Sequence, residues 1–456
     1  MGFLDVLVAP VVLFMVMGLA YFLRPWFTNP QIRPYFMLAL GGKIFGALAV
    51  GFIYQFYYGG GRPSGDTFNY HQNAGIIYEA FMDDPSVGLQ LFMADGKYTP
   101  EIFSYASRMY WFRSPTEYFI IRIITVLGLF TLHSYVAIAI LFAALSFSGV
   151  WAMYRTFYKF YPRLHFQLAV AILFVPSVVF WGSGVLKDTV TLGALGWATW
   201  ALVRVFFERK RILSSLLILL ASLYTIYAIK IYIVLCFLPA AVLWIFMSYS
   251  SRIPSAPIRW MVGPPVIIIS AVLGYFAVVK IGEDNSQYAL EKVSETAEIT
   301  ARYLSYMGES QGGSVYTLGD FDYSPAGMLR KFPLAVNVTL FRPYLWEAYN
   351  PVMLLSALES LATLLLTLYV FYRAGVLRAL KLIVSNPIIL FCLLFAIAFS
   401  FAVGISTYNF GSLVRYKIPM FPFYLSGLII LWYHANEQKK KVALQSAPQS
   451  THSVSS

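Results

Sequence analysis

The sequence predicts an all-α, polytopic membrane protein, and three observations carry that reading. Hydrophobic residues make up 59% of the 456 positions and charged ones only 12%, which excludes an ordinary soluble domain. Apolar runs recur that are long enough to cross about 30 Å of hydrocarbon as helix. The runs are unbroken stretches of Leu, Ile, Val, Ala and Phe, whereas a membrane β-barrel needs alternating strands of roughly ten residues. The formal charge of +12 does not imply a nucleic-acid partner, because the basic residues are scattered as flanks of apolar runs. Membrane topology accounts for that distribution.

In chain order the apolar runs lie near 4–23, 36–57, 118–157, 166–183, 188–207, 212–229, 231–249, 260–281, 351–372, 385–406 and 416–434. They predict about 11–12 transmembrane helices in a single domain, 1–435. The first run lacks a basic flank and a small-residue cleavage pattern, so it reads as a retained helix. Two polar excursions, 58–117 and 282–350, are far longer than the other connections. The Ser-, Gln- and Lys-bearing tail, 436–456, has nothing to bury and is expected to be disordered and cytoplasmic. Cys236 and Cys392 both fall inside apolar runs, so neither a disulfide framework nor a thiolate metal site is expected.

Arg and Lys orient the chain. The junctions carrying Arg155, Lys159 and Arg163, then Arg209 to Arg211, then Arg252 and Arg259, then Arg373, Arg378 and Lys381, and finally Lys439 to Lys441 are mutually consistent as cytoplasmic. That assignment puts 182–187, 282–350 and 407–415 on the outer side. The loop 58–117 joins them only if 118–133 is a short re-entrant or interfacial helix, since two full crossings in 118–157 would put it on the other side. Arg122 is awkward for a lipid-facing span, which favours the interfacial reading.

Four stretches have the residue types for chemistry. In 61–71, Asp66 is the candidate catalytic base, with Tyr70 and His71 beside it; Asp66 and Tyr70 are four apart, on one face of a helix that starts after Gly65. The alternative role for Asp66 is an N-cap. In 176–188, Pro176 would kink a helix, Gly182 and Gly184 permit a reversal, and Asp188 would cap the next helix while Lys187 points outward toward an anion or the lipid interface. Arg342, Trp346 and Glu347 offer a guanidinium for a phosphate and a flat face for a sugar, or else an interfacial anchor. Asn409, Arg415 and Lys417 put two cations at the outer start of the last helix, the side where the topological bias disfavours them, and an anionic ligand would supply a reason. The Asp320-Phe321-Asp322 spacing reads as a turn more readily than a metal pair, and the histidines sit singly, so no metal or other cofactor is firmly implied.

The layout resembles the integral-membrane glycosyltransferases of the C-type fold, which take sugars from polyprenyl-phosphate carriers. The resemblance lies in an early outer loop with an acidic residue, here Asp66, and in Arg415-Tyr416-x-x-Pro419-x-x-Pro422 at the start of a late helix. Stretches such as 180–188 and 341–347 are similar to those of bacterial envelope-polysaccharide proteins. The resemblance implies transfer of a sugar from a polyprenyl-phosphate carrier to a glycan, lipid or protein acceptor, at the outer face of a bacterial inner membrane. Asp66 would activate the acceptor, and Arg342, Arg415, Lys417 and Lys187 would hold the leaving phosphate. A polymerase of lipid-linked repeat units and a lipid-linked glycan flippase share the same carrier and remain as alternatives. The chain departs from the pattern in having an extra helix before Asp66, no second acidic residue adjacent to it, and no large soluble C-terminal domain.

Overall fold

The computed structural model describes residues 2–250, 315–319 and 325–446, together with 298, 299, 302 and 306. It is 82% helical, with no strand among the described residues, which bears out the all-α polytopic reading. Among the described residues seven helices are long and apolar enough to cross a membrane: α1 (Phe3–Phe27), α2 (Arg33–Tyr57), α7 (Tyr135–Phe160), α10 (Lys187–Glu208), α11 (Ile212–Ser250), α14 (Pro351–Ala374) and α16 (Pro387–Ser406). A bent pair, α17 (Phe410–Tyr416) and α18 (from Phe421), adds an eighth. The apolar run at 260–281 and the Asp320-Phe321-Asp322 triplet lie outside the described residues.

Besides that bent pair, two further breaks interrupt helical stretches of the bundle. In α11 the backbone of Lys230 is not helical (φ −146°, ψ 77°). The Lys230 ammonium meets Asp188 at the start of α10, while the Tyr249 hydroxyl donates to the Phe206 carbonyl at its far end. The chain therefore reverses at Lys230, and the two halves are separate passages. The second break joins α8 (His165–Leu173) to α9 (Pro176–Trp181), where the missing Pro176 N–H ends one helix and opens the next. Lys43 of α2 donates to the Val178 and Gly182 carbonyls (3.1 and 2.7 Å), capping the end of α9 in the protein interior.

Between α2 and α7 lie α3 (Gly65–Asp83), α4 (Pro85–Met93), α5 (Phe103–Ala106) and α6 (Pro115–Phe130). The start of α6 meets α10 through the Glu117–Lys187 pair, and the turn after its end meets α3 and α1, with His133 stacked on His71 and Ser134 donating to Asp5. Both ends of α6 thus lie at one end of the bundle, as an interfacial helix requires. Arg122 donates to the Phe92 and Ala94 carbonyls (both 2.7 Å), so its charge faces loop backbone instead of lipid.

The remaining helices are α12 (Pro325–Arg330), α13 (Phe332–Phe341) and α15 (Val376–Ser385). The apolar α13 runs beside the end of α16, where Thr339 donates to the Ser400 carbonyl (2.8 Å), and it delivers Arg342 beside α17. The last helix continues to Ser446, past the point where a disordered tail was expected at Asn436. Its Ala, Gln, Lys and Leu residues are good helix formers, and propensity outweighs polarity there. Residues 447–456 lie outside the described residues.

Gly149 of α7 faces Gly193 and Gly196 of α10 so closely that a Cβ on Gly149 would overlap the Gly193 carbonyl, and one on Gly196 the Gly149 carbonyl. Small residues let helices in lipid approach to backbone contact, and this contact seats the start of α10, with Asp188, against α7. Gly196→Val is expected to lower the thermal midpoint in detergent, because forcing bulk into such a contact costs about 1–3 kcal/mol. An unchanged midpoint would mean that the two helices separate freely.

Candidate functional site

Four ionisable side chains from four segments distant in sequence form one connected network at the end of the bundle opposite the Arg- and Lys-rich junctions. Arg415, near the end of α17, donates from Nε to Asp188 Oδ2 (2.6 Å) and from Nη1 to Asp66 Oδ2 (2.7 Å). The other Asp188 oxygen accepts from the Lys230 ammonium. Two carboxylates thus balance two cations, which is what lets them sit together away from water. Asp188 is fully buried, and the side chains of Lys230 and Arg415 are 8% and 11% exposed. Asp66, at 39%, is the member that solvent reaches.

Local structure explains each position. Gly65 adopts a positive φ of 70°, which glycine tolerates, and starts α3 so that Asp66 falls in its first turn. Asp188 sits in the first turn of α10, where helix N–H groups favour an anion. Arg415 is carried inward because α17 bends by 65° into α18 at the Lys417–Met420 break. The Tyr416 ring lies 4.3 Å from the Lys230 ammonium, and Tyr54 lies beside the Arg415 guanidinium.

Beside the network, Lys187 donates to Glu117 and to Thr116 Oγ1 (2.9 Å), with the Lys187 side chain 13% exposed. The expectation that Lys187 points outward and Asp188 caps a helix is therefore corrected. Lys187 turns to the carboxylate of α6, and the Asp188 carboxylate goes to two cations instead of backbone N–H groups.

The other predicted residues divide. Tyr70 is buried against Trp111 (4.6 Å between ring centres), and burial and then the nearby Asp66 charge push its phenol up. Asn409 caps α17, accepting from the Gly411 and Ser412 N–H groups (2.8 and 3.2 Å). Arg342 is paired with Glu347 and surrounded by Phe410, Tyr316 and Tyr344, while Trp346 is exposed and stacks on Tyr344. Lys417, expected near solvent, is fully buried and donates to the Arg342 carbonyl and to Ser360 Oγ (both 3.0 Å). It ties the end of α17 to α13 and α14.

His71 stacks on His133 (4.0 Å), and each ring is within hydrogen-bond reach of the other residue's carbonyl. Burial, and then the neighbouring His71, push the His133 imidazole down to about 3; burial also pushes His71 down. The unfolded imidazoles, near pH 6.5, take up protons first as the pH falls. Stability is therefore complete above about pH 6.5 and is lost on acidification toward pH 3. The thermal midpoint is expected to fall between pH 7 and 5, and less steeply in His133→Phe. A slope unchanged in that variant would clear His133 of the acid sensitivity.

Sequence reasoning missed Lys230 and Glu117 and misread Asp188. A signal existed for Lys230: it is the lone charge between the runs 212–229 and 231–249, and an ionisable residue inside an apolar stretch marks a site with a partner. No group of three or more potential metal ligands occurs among the described residues. The chain matches no family model, no curated protein and no solved structure in the comparisons made with them. The fold and network define an integral membrane protein with a buried charge cluster at one end and one solvent-reached carboxylate in it.

Proposed function

We propose that the protein is a membrane transferase that moves a sugar from a polyprenyl-phosphate carrier to an acceptor hydroxyl. The observation that carries this reading is the Asp66–Arg415–Asp188 arrangement, in which one guanidinium is anchored by a buried carboxylate and shared with an exposed one. Asp188 and Lys230 fix Arg415 in place. A lipid phosphate approaching from the exposed side competes with Asp66 for Nη1, since guanidinium groups bind phosphate with two parallel bonds. Asp66, released from Arg415, is then the base. The acceptor oxygen attacks the anomeric carbon, its proton passes to Asp66, and the bond from that carbon to the phosphate oxygen breaks with its electron pair going to the phosphate. The growing charge on the leaving group falls on Arg415, with Lys187 beside it. The same chemistry on a longer acceptor would make the enzyme a repeat-unit polymerase.

A flippase is the second reading, favoured by the interrupted passage α8–α9 and the reversal at Lys230, since broken helices line the substrate sites of transporters. Purified protein in nanodiscs with isotope-labelled lipid-linked sugar separates the two. Label appearing on acceptor with release of polyprenyl phosphate supports the transferase. Intact labelled lipid crossing the bilayer of liposomes, with no cleavage, supports the flippase.

A further inference from the structure

We propose that a second site, at the Arg- and Lys-rich end of the bundle, binds the phosphate-bearing headgroup of an anionic membrane lipid. A cavity of about 570 Å³ opens there between the turn after α7, the last turn of α14 and the end of α18. Arg163, Arg373 and Lys439 bring three cations to its wall, and Glu437 brings one carboxylate. Neither the Arg163 nor the Arg373 side chain has an ion-pair or hydrogen-bond partner among the described residues. Lys439 donates to the Arg373 carbonyl and fastens α18 to α14, which holds the wall together.

A positive-inside bias accounts for cations at this end of the bundle. It does not account for two guanidinium groups left without a partner around one cavity, with the Trp432 and Tyr433 rings in the same wall. Phosphate oxygens satisfy both guanidinium forks at once. The cavity lies where α14 and α18 leave the apolar zone, at headgroup level, and the rings of Trp432 and Tyr433 offer apolar surface to the glycerol and first methylenes of a lipid. Basic pockets between helices at this depth suit anionic headgroups. A soluble phosphate compound shares the headgroup chemistry but makes no use of that apolar wall.

The test uses full-length protein, delipidated in neutral detergent, and follows lipid retention by native mass spectrometry together with the thermal midpoint. Phosphatidylglycerol is expected to be retained and to raise the midpoint, with phosphatidylcholine doing neither. Arg163→Gln combined with Arg373→Gln is expected to weaken phosphatidylglycerol at least about tenfold, the loss of charge-assisted contacts. Equal retention of the two lipids, or undiminished retention in the double variant, overturns the site. Glycerol phosphate binding as tightly as phosphatidylglycerol overturns the lipid as its occupant.

Discussion

Asp188→Ala is expected to leave little folded protein. Asp188 is the fully buried carboxylate that accepts from both Lys230 and Arg415. Its removal strands Lys230, which pairs only with Asp188 among the described residues, and leaves the buried Arg415 with the solvent-reached Asp66 alone. Breaking a buried pair in this way costs about 3–5 kcal/mol, against a typical total stability of about 5–15 kcal/mol. The measurement is the yield of monodisperse protein in detergent and its thermal midpoint. Combining Asp188→Ala with Lys230→Met should recover part of the loss, since the second change removes the stranded charge and leaves an apolar chain of similar length. A single variant that melts with the wild type would mean that water already solvates these groups.

The fold was legible wherever one physical rule dominated. The apolar runs at 4–23, 36–57, 188–207, 351–372 and 385–406 became spans, with 212–229 and 231–249 appearing as two passages, and Pro176 broke a helix as its missing N–H requires. The interfacial α6 was legible through Arg122, whose charge excluded a lipid-facing span. The site was legible by halves. Asp66 and Arg415 carried signals of their own, a carboxylate after a glycine turn and a cation on the disfavoured side, and the structure joins them across most of the chain. Partner choice was not legible, because whether Asp188 caps its helix or pairs with Lys230 depends on where α11 reverses. A single sequence does not encode that distance. Lys417 shows the same limit: its position suggested a solvent-facing cation, but the bend between α17 and α18 turns it into the core.

Asp66→Asn should separate chemistry from architecture most cleanly. The residue is the exposed end of the network, and Asn keeps its shape and still offers an oxygen to Arg415, while Asp188 continues to hold the guanidinium. Stability is therefore expected to change by no more than about 1 kcal/mol, as for other solvent-reached pairs. Turnover of lipid-linked sugar is expected to fall on the order of 10²–10⁴-fold, the usual contribution of a positioned base. The amide is also a weaker rival for Arg415 than a carboxylate, so the lipid phosphate should bind as well as before or better. A fall in kcat with KM unchanged or lowered is thus the signature of a base, whereas a residue that only shaped the site would raise KM or lower the thermal midpoint. Single-turnover rates equal to the wild type would remove Asp66 from the chemistry and leave Arg415 as the centre of a binding or transport site.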